Sequence, residues 1–224
     1  MSDSGQLAFA FEHRPSLSGD DFLVAPGNRD AVAWLDAWPD WPAPLLVIHG
    51  PPGSGKSHLG QVFRARSGAS EVPSAALGTK APTELLGTAR EVLIDDADFA
   101  HAEEAALHLY NEIASRGGHL LATAMSPPSA WALALPDLRS RILGAPAAAL
   151  GRPDDALIKA VLAKLFSDRQ VRIDIDVVEY LARRMERSLG EAQRLVTLID
   201  RAALAERRDV TVPFVREILY RPRN

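Results

Sequence analysis

The residues from 50 to 57 have the composition and spacing of a loop that binds phosphate groups. Directly after the apolar run 45–49, the chain reads Gly50-Pro51-Pro52-Gly53-Ser54-Gly55-Lys56-Ser57. Glycines let successive backbone N–H groups point at an anion, and the N-terminus of a following helix adds positive partial charge. In this pattern the lysine reaches the β- and γ-phosphates, and the serine hydroxyl holds Mg²⁺. The pattern therefore favours a nucleotide site over a turn that only links a strand to a helix.

Two carboxylates form the second candidate group. Asp95 and Asp96 directly follow the short, largely apolar run 91–94. If that run is a buried strand, both carboxylates lie at its carboxyl end, where open α/β sheets bind ligands. Asp95 is then placed to hold the magnesium ion, and Asp96 to orient a water for attack on the γ-phosphate. The alternative is a strand that ends in an acidic turn, but the phosphate loop upstream favours the catalytic interpretation.

Alternating strand and helix patterns surround these residues. Strands are predicted over 45–49, 91–96 and 119–124, and helices over 57–66 and about 102–115. A further strand is expected between 68 and 90, where the pattern is too weak to place it. The alternation predicts a parallel α/β domain over 21–150. Four helices without strands follow and predict a small all-helical domain over 151–224.

The first 20 residues are predicted to be a flexible tail that contains one apolar segment. Its sequence is Gln6-Leu7-Ala8-Phe9-Ala10-Phe11. Two interpretations fit the alternating side chains: an edge strand on the protein's own core, or an extended peptide that docks into an apolar groove of a partner. The pattern alone favours the edge strand.

Composition and charge exclude several classes of function. The 224 residues include no cysteine, which excludes disulfides, thiol catalysis and cysteine-bound zinc. The net charge of −4 gives no sign of direct, sequence-specific DNA binding. The N-terminus lacks a signal-peptide pattern, and no apolar run approaches the length of a membrane span. We therefore expect a cytoplasmic protein without membrane contacts.

The phosphate loop, the acidic strand end, the third strand and the helical C-terminal part together resemble the AAA+ ATPases. The resemblance extends from Phe22 to Tyr220 and implies an AAA+ base domain followed by a helical lid domain. Within this group the chain resembles the Hda family of DnaA-related proteins. The residues that carry this resemblance are Asn28-Arg29, Leu93-Ile94-Asp95-Asp96 and Leu109-Tyr110-Asn111. DnaA continues into a DNA-binding domain, whereas this sequence ends at residue 224.

The resemblance implies ligands and partners for particular residues. ADP or ATP with Mg²⁺ is expected at the phosphate loop, with Asn28 and His58 also lining the nucleotide site. The family carries a peptide that binds the β subunit of DNA polymerase III, the sliding clamp. The residues that match this peptide are Gln6, Leu7, Phe9 and Phe11, so the resemblance reverses the preference for an edge strand.

The resemblance also implies a function. Arg141 is at the position of the family's arginine finger, which would reach ATP bound to DnaA and promote its hydrolysis. The protein would then be a negative regulator of replication initiation, with DnaA and the clamp as partners and a homodimer as a further option. Two other functions stay open: a AAA+ helicase loader or other DnaA-like replication ATPase, and a P-loop kinase of a small molecule. A third alternative is a scaffold without catalytic activity, in which the nucleotide is purely structural.

Three departures from the family pattern imply that the chain itself hydrolyses ATP weakly or not at all. Ala124-Met125 follows the third strand, where family members often have a charged residue. Gly190 aligns with the lid arginine that senses nucleotide, although Arg187 or Arg194 would be substitutes. Asp96 is one methylene shorter than the glutamate of strongly hydrolysing AAA+ proteins.

Overall fold

The structure, a computed structural model, describes residues 12–14, 22–97 and 99–221. The chain divides into two compact units. The base unit is His13–Gly151, and the lid unit includes Arg152–Asn224. The apolar segment Gln6–Phe11 lies outside the described residues, so both interpretations of it stay predictions.

The elements of the base unit alternate between strands and helices. Two short strands, β1 (Glu12–Arg14) and β2 (Phe22–Val24), pair with each other. The elements that follow are α1 (Arg29–Asp36), β3 (Leu45–His49), α2 (Lys56–Ser67), β4 (Ser70–Glu71), α3 (Pro82–Leu86), β5 (Glu91–Ile94), α4 (Glu103–Ser115), β6 (His119–Ala124), α5 (Pro136–Gly144) and β7 (Ala147–Ala149). Short 3₁₀ turns lie at Ser74–Ala76 and Pro128–Ala130.

Among the described residues, five strands form one parallel sheet in the order β4-β5-β6-β3-β7. In register, Leu45 of β3 is opposite Leu120 of β6, which is opposite Val92 of β5. The carboxyl ends of β5, β6 and β3 are therefore neighbours at one edge of the sheet. The predicted parallel α/β fold is confirmed.

Helices cover both faces of this sheet. The side chains of β3 alternate between two core clusters, one on each face. On one face the core includes Leu45, Val47, Leu109, Ile113, Leu138 and Ile142. On the other face it includes Leu46, Ile48, Leu59, Phe63, Ala31 and Leu35. Successive strand residues point to opposite faces, so a strand buried on both sides is apolar throughout. This explains why the run before the phosphate loop contains no polar residue until His49.

Some elements differ from the sequence-based expectation. The strand expected over 91–96 ends at Ile94, and both aspartates lie in the turn that follows. The weakly marked strand is β4, which has only two residues. Sequence reasoning missed β7, whose residues are all alanine, a residue with low preference for strands.

The lid unit consists, in its described part, of four helices: α6 (Asp155–Asp168), α7 (Ile175–Ala182), α8 (Leu189–Glu206) and α9 (Val212–Tyr220). Side-chain oxygens of Asp154, Ser188 and Thr211 accept backbone N–H groups in the first turns of α6, α8 and α9. Such caps satisfy N–H groups that have no partner within the helix. In residues 12–14, 22–97 and 99–221, no helix combines the length and the hydropathy that crossing a membrane requires.

Candidate nucleotide site

The phosphate loop connects β3 to α2 and depends on its glycines, as Gly55 and Gly50 illustrate. Gly55 precedes α2 with φ 104°, a left-handed conformation that glycine adopts without steric cost. At Gly50, a Cβ atom would lie 2.3 Å from the carbonyl oxygen of Leu150, just after β7. The neighbouring backbone therefore leaves no room for a side chain at Gly50.

The side chain of Lys56 forms hydrogen bonds with the backbone of the phosphate loop. Its Nζ donates hydrogen bonds to the carbonyl oxygens of Gly50, at 2.8 Å, and Pro51, at 3.0 Å. Burial lowers the pKa of Lys56, while the carboxylates of Asp96 and Asp95 act in the opposite direction. The electrostatic interaction indicates that the fold brings the lysine near both aspartates. The lysine and the acidic turn thus lie close together, and their joint role in binding a nucleotide stays a prediction.

Ser54 supplies a test of whether the loop fits a phosphate group. The residue is only 6% exposed, and its Oγ is buried without a hydrogen-bond partner among the described residues. Buried hydroxyls without a partner are rare. A phosphate oxygen would accept from this hydroxyl and remove the unfavourable burial. The loop therefore fits a nucleotide phosphate, with Ser54 as a donor in addition to the backbone.

Ser57 and His58 are exposed at the start of α2, so a ligand has access to both side chains. The described residues contain no group of three or more His, Asp or Glu side chains arranged around a metal ion. Mg²⁺ typically binds through one or two protein oxygens together with phosphate and water, so Ser57 and Asp95 fit it. When bound there, it would neutralise phosphate charge.

Thr123, at the carboxyl end of β6, holds the acidic turn that follows β5. Its Oγ1 donates a hydrogen bond to Asp95 Oδ1 at 2.5 Å and accepts the N–H of Asp96 at 2.9 Å. The carbonyl of Thr123 also accepts the N–H of Ala97. Asp96 has φ 53°, in the left-handed region. The turn is therefore fixed by a fully buried threonine on the neighbouring strand. In the sequence, the signal for Thr123 is that a polar residue occurs near the end of an apolar run.

Asn28 lies before α1 and has its side chain occupied by nearby backbone. Its Oδ1 accepts the N–H of Ala25 at 2.8 Å, and its Nδ2 donates to the carbonyl of Leu23 at 3.0 Å. These contacts give Asn28 a structural role in its own turn. A contribution to nucleotide binding stays a prediction for this residue and for His58.

Arg141 lies in the last turn of α5, and its contacts within the described residues are with α4 and α5. Its Nη1 donates to the carbonyl oxygen of Asp137 at 3.2 Å. Its guanidinium carbon is 5.8 Å from the centroid of the Tyr110 ring. These contacts do not join it to the phosphate loop of its own chain. This arrangement is compatible with a finger that acts on another molecule, and the role itself stays a prediction.

The arginines considered as lid sensors are paired within the lid unit. Arg187 forms an ion pair with Asp155 at 2.9 Å, and Arg194 with Glu191 at 2.6 Å. Exposed ion pairs are weak, so either arginine can leave its partner at small cost. A Cβ at Gly190 would meet only Ser188 Oγ, at 3.6 Å, which is an ordinary contact. Steric crowding therefore does not explain why position 190 is a glycine.

Comparison with known proteins relates the sequence to replication initiators. Residues 155–219 match the family model described as Hda, lid domain. An uncharacterized protein of Haemophilus influenzae is 29% identical over 192 residues, which cover 80% of this chain and 83% of the relative. The DnaA of Thermomicrobium roseum is 26% identical over 230 residues, which cover 92% of this chain and 50% of the relative. The chain thus spans about half the length of this DnaA.

Solved structures show the same fold. Domain III of DnaA from Thermotoga maritima has a TM-score of 0.74 and 19% identity, with 88% of this chain and 93% of that chain covered. DnaA from Aquifex aeolicus, bound to AMPPCP, has a TM-score of 0.64 and 18% identity, with 83% and 68% covered. That relative thus binds a nucleotide analogue. The family resemblance drawn from the sequence is confirmed. The chain thus has the fold of DnaA domain III, and its residues 155–219 match the Hda lid domain.

Proposed function

We propose that this protein regulates replication initiation by promoting the hydrolysis of DnaA-bound ATP when it is attached to the sliding clamp. In this proposal ADP or ATP, with Mg²⁺, binds at the phosphate loop through Lys56, Ser57 and Asp95. Gln6, Leu7, Phe9 and Phe11 bind the clamp, and Arg141 contacts the triphosphate on DnaA. Asp96 would act on the protein's own nucleotide, with little turnover.

The observation that carries the proposal is the match of residues 155–219 to the Hda lid domain, on a chain with the fold of DnaA domain III. The position of Arg141 adds support, because its guanidinium contacts α4 and its own helix α5 rather than its own phosphate loop. A guanidinium delivered to another subunit's triphosphate stabilises charge in the transition state.

The test is a hydrolysis assay on DnaA preloaded with labelled ATP, with and without clamp loaded on DNA. We expect faster hydrolysis of the DnaA-bound ATP only when this protein and the loaded clamp are both present. Replacement of Arg141 by alanine should reduce the stimulated rate by roughly 1000-fold or more, the lower end of the range for an arginine finger. Arg139, an exposed arginine two residues earlier on α5, provides the matched control, and R139A should retain stimulation.

Clamp binding is tested separately by pull-down on immobilised clamp. The double variant Q6A/L7A should lose the clamp and the stimulation while R141A keeps the clamp. Unchanged hydrolysis by the wild-type protein with clamp binding intact would contradict the regulatory role. Phosphate transfer to a small-molecule acceptor would instead indicate a kinase, and tight binding of single-stranded DNA would favour a helicase loader.

A further inference from the structure

The two helices that carry Tyr110 and Arg141 are joined at both ends. At the N-terminal end, the Glu103 carboxylate of α4 accepts the backbone N–H groups of Ala134 and Leu135, which lead into α5. At the other end, the Arg141 guanidinium lies over the Tyr110 ring. Between them, Leu138 and Ile142 are buried in the same core cluster as residues of α4. The helix α5 therefore has a fixed position on α4.

The contact between Tyr110 and Arg141 is electrostatic as well as steric. A guanidinium within about 6 Å of an aromatic centroid is attracted by the negative face of the ring. Burial raises the pKa of Tyr110, and this effect outweighs the opposite effect of the Arg141 charge. The phenol is therefore neutral at physiological pH, and its ring face, rather than a negative charge, is what it offers to the arginine.

A finger arginine needs a defined direction as well as a charge. The side chain has several rotatable bonds, and ordering them at the moment of reaction costs entropy. In this structure one guanidinium N–H donates to the Asp137 carbonyl, and the guanidinium carbon lies over the Tyr110 ring, 5.8 Å from its centroid. A guanidinium has five N–H donors, so one held in this way keeps others available to a phosphate.

We propose that Tyr110 is a positioning residue for Arg141: its ring face attracts the guanidinium, which lies over it, and orients the guanidinium toward the triphosphate carried by the partner. This inference rests on the proposed function. It assigns Tyr110 no contact with the nucleotide. A purely structural tyrosine would instead stabilise the α4–α5 pair without affecting the rate at saturation.

The experiment compares Y110F and Y110L in the same hydrolysis assay, across a range of protein concentrations. Phenylalanine keeps the ring face and leucine removes it. We expect Y110F to match the wild type. Y110L should lose about tenfold in the maximal rate, because a misplaced catalytic group is costly even when it is present, while the concentration for half-maximal stimulation stays the same.

Two further variants separate positioning from loss of stability. Y180A removes another contact between an arginine and an aromatic ring, in the lid unit, where the Arg184 guanidinium carbon lies 4.1 Å from the Tyr180 ring centroid, and should keep the maximal rate. The double variant Y110L/R141A should be no slower than R141A, because a residue that acts through Arg141 has no effect once that arginine is gone. Additive losses in the double variant would overturn the inference.

An independent readout uses the protein alone. In wild type and Y110F, the ring current of residue 110 should shift the NMR signals of the Arg141 side chain, and Y110L should abolish that shift. A wild-type protein that stimulates DnaA, together with a Y110L variant that stimulates equally, would refute the positioning role only. A wild-type protein without any stimulation would refute the proposed function, and the positioning role with it.

Discussion

The hydroxyl of Thr123 donates a hydrogen bond to the carboxylate of Asp95, although the two residues come from the ends of different strands. The bond joins β6 to the turn after β5 and fixes the direction of an acidic side chain that we expect at the metal. The same oxygen accepts the N–H of Asp96. One buried hydroxyl therefore orders both aspartates.

Replacing Thr123 with valine should therefore affect stability and ligand binding together. Valine has a similar shape, but it leaves a backbone N–H and a carboxylate oxygen without their partner. We expect a loss of about 2 kcal/mol in unfolding free energy, measured by urea denaturation. Mg²⁺-dependent nucleotide binding, measured by calorimetry, should weaken severalfold. T123S keeps the hydroxyl and should keep binding; equal losses in T123S and T123V would show that the hydroxyl is not responsible.

Lys56 is predicted to be essential for nucleotide binding. K56M removes the charge but keeps an unbranched side chain, and should weaken ATP binding by roughly 100-fold, or about 2.7 kcal/mol. Fluorescence titration with a labelled nucleotide measures the effect. Lys80 is an exposed lysine of the same unit, and K80M should bind normally. Normal binding by K56M would exclude the phosphate loop as the nucleotide site.

The lowered pKa of Lys56 predicts a dependence on alkaline pH. In the folded protein this lysine loses its proton at a lower pH than an ordinary lysine, so nucleotide affinity should fall as pH rises through that lowered value. The unfolded chain still holds the proton there, so the unfolding free energy of the nucleotide-free protein should rise with pH over the same window. Urea denaturation at several alkaline pH values checks this, and K56M should remove the lysine's contribution to the slope.

Gly50 should not tolerate alanine, because the added Cβ would lie 2.3 Å from the Leu150 carbonyl oxygen. The backbone after β7 would have to move away from β3. We expect a loss of more than about 2 kcal/mol in thermal or urea unfolding, as for other strained core substitutions. At Gly144, the end of α5, an added Cβ would point into open space. G144A should be neutral or slightly stabilising, and a neutral G50A would contradict the close approach.

Glu103 is predicted to hold the start of α5 against α4. Its carboxylate accepts two backbone N–H groups, from Ala134 and Leu135. E103A should lower the unfolding free energy by about 1.5 kcal/mol, the lower end of the range for hydrogen bonds to a charged group. The neighbouring exposed residue Glu104 provides the control, and E104A should have little effect. Equal effects of the two variants would show that the carboxylate does not stabilise this junction.

The sequence predicted those parts of the molecule whose signal is local. The glycines and lysine of the phosphate loop occur at fixed spacing, and the apolar runs of β3 and β6 have no competing interpretation. By contrast, β7 pairs with β3 although it is only three alanines, because the strand is selected by its place beside Gly50 and not by its own preference. Such a strand cannot be recognised without the tertiary structure.

The site shows the same division. The motifs predicted that Lys56 lies near Asp95 and Asp96, because the carboxyl ends of neighbouring parallel strands meet at one edge. The use of Thr123 as a bridge, the buried hydroxyl of Ser54 and the contact of Arg141 with the Tyr110 ring depend on side-chain directions. These directions follow from packing between residues far apart in the chain, which no local pattern encodes.

The order of the strands also affects how the protein behaves at high concentration. The outer strands β4 and β7 have two and three residues, whereas the inner strands are longer. A short outer strand presents few unpaired backbone groups to another molecule, and β4 adds the charge of Glu71. The strand order that places the longest strands under the candidate nucleotide site therefore also disfavours the edge-to-edge pairing of sheets that leads to aggregation.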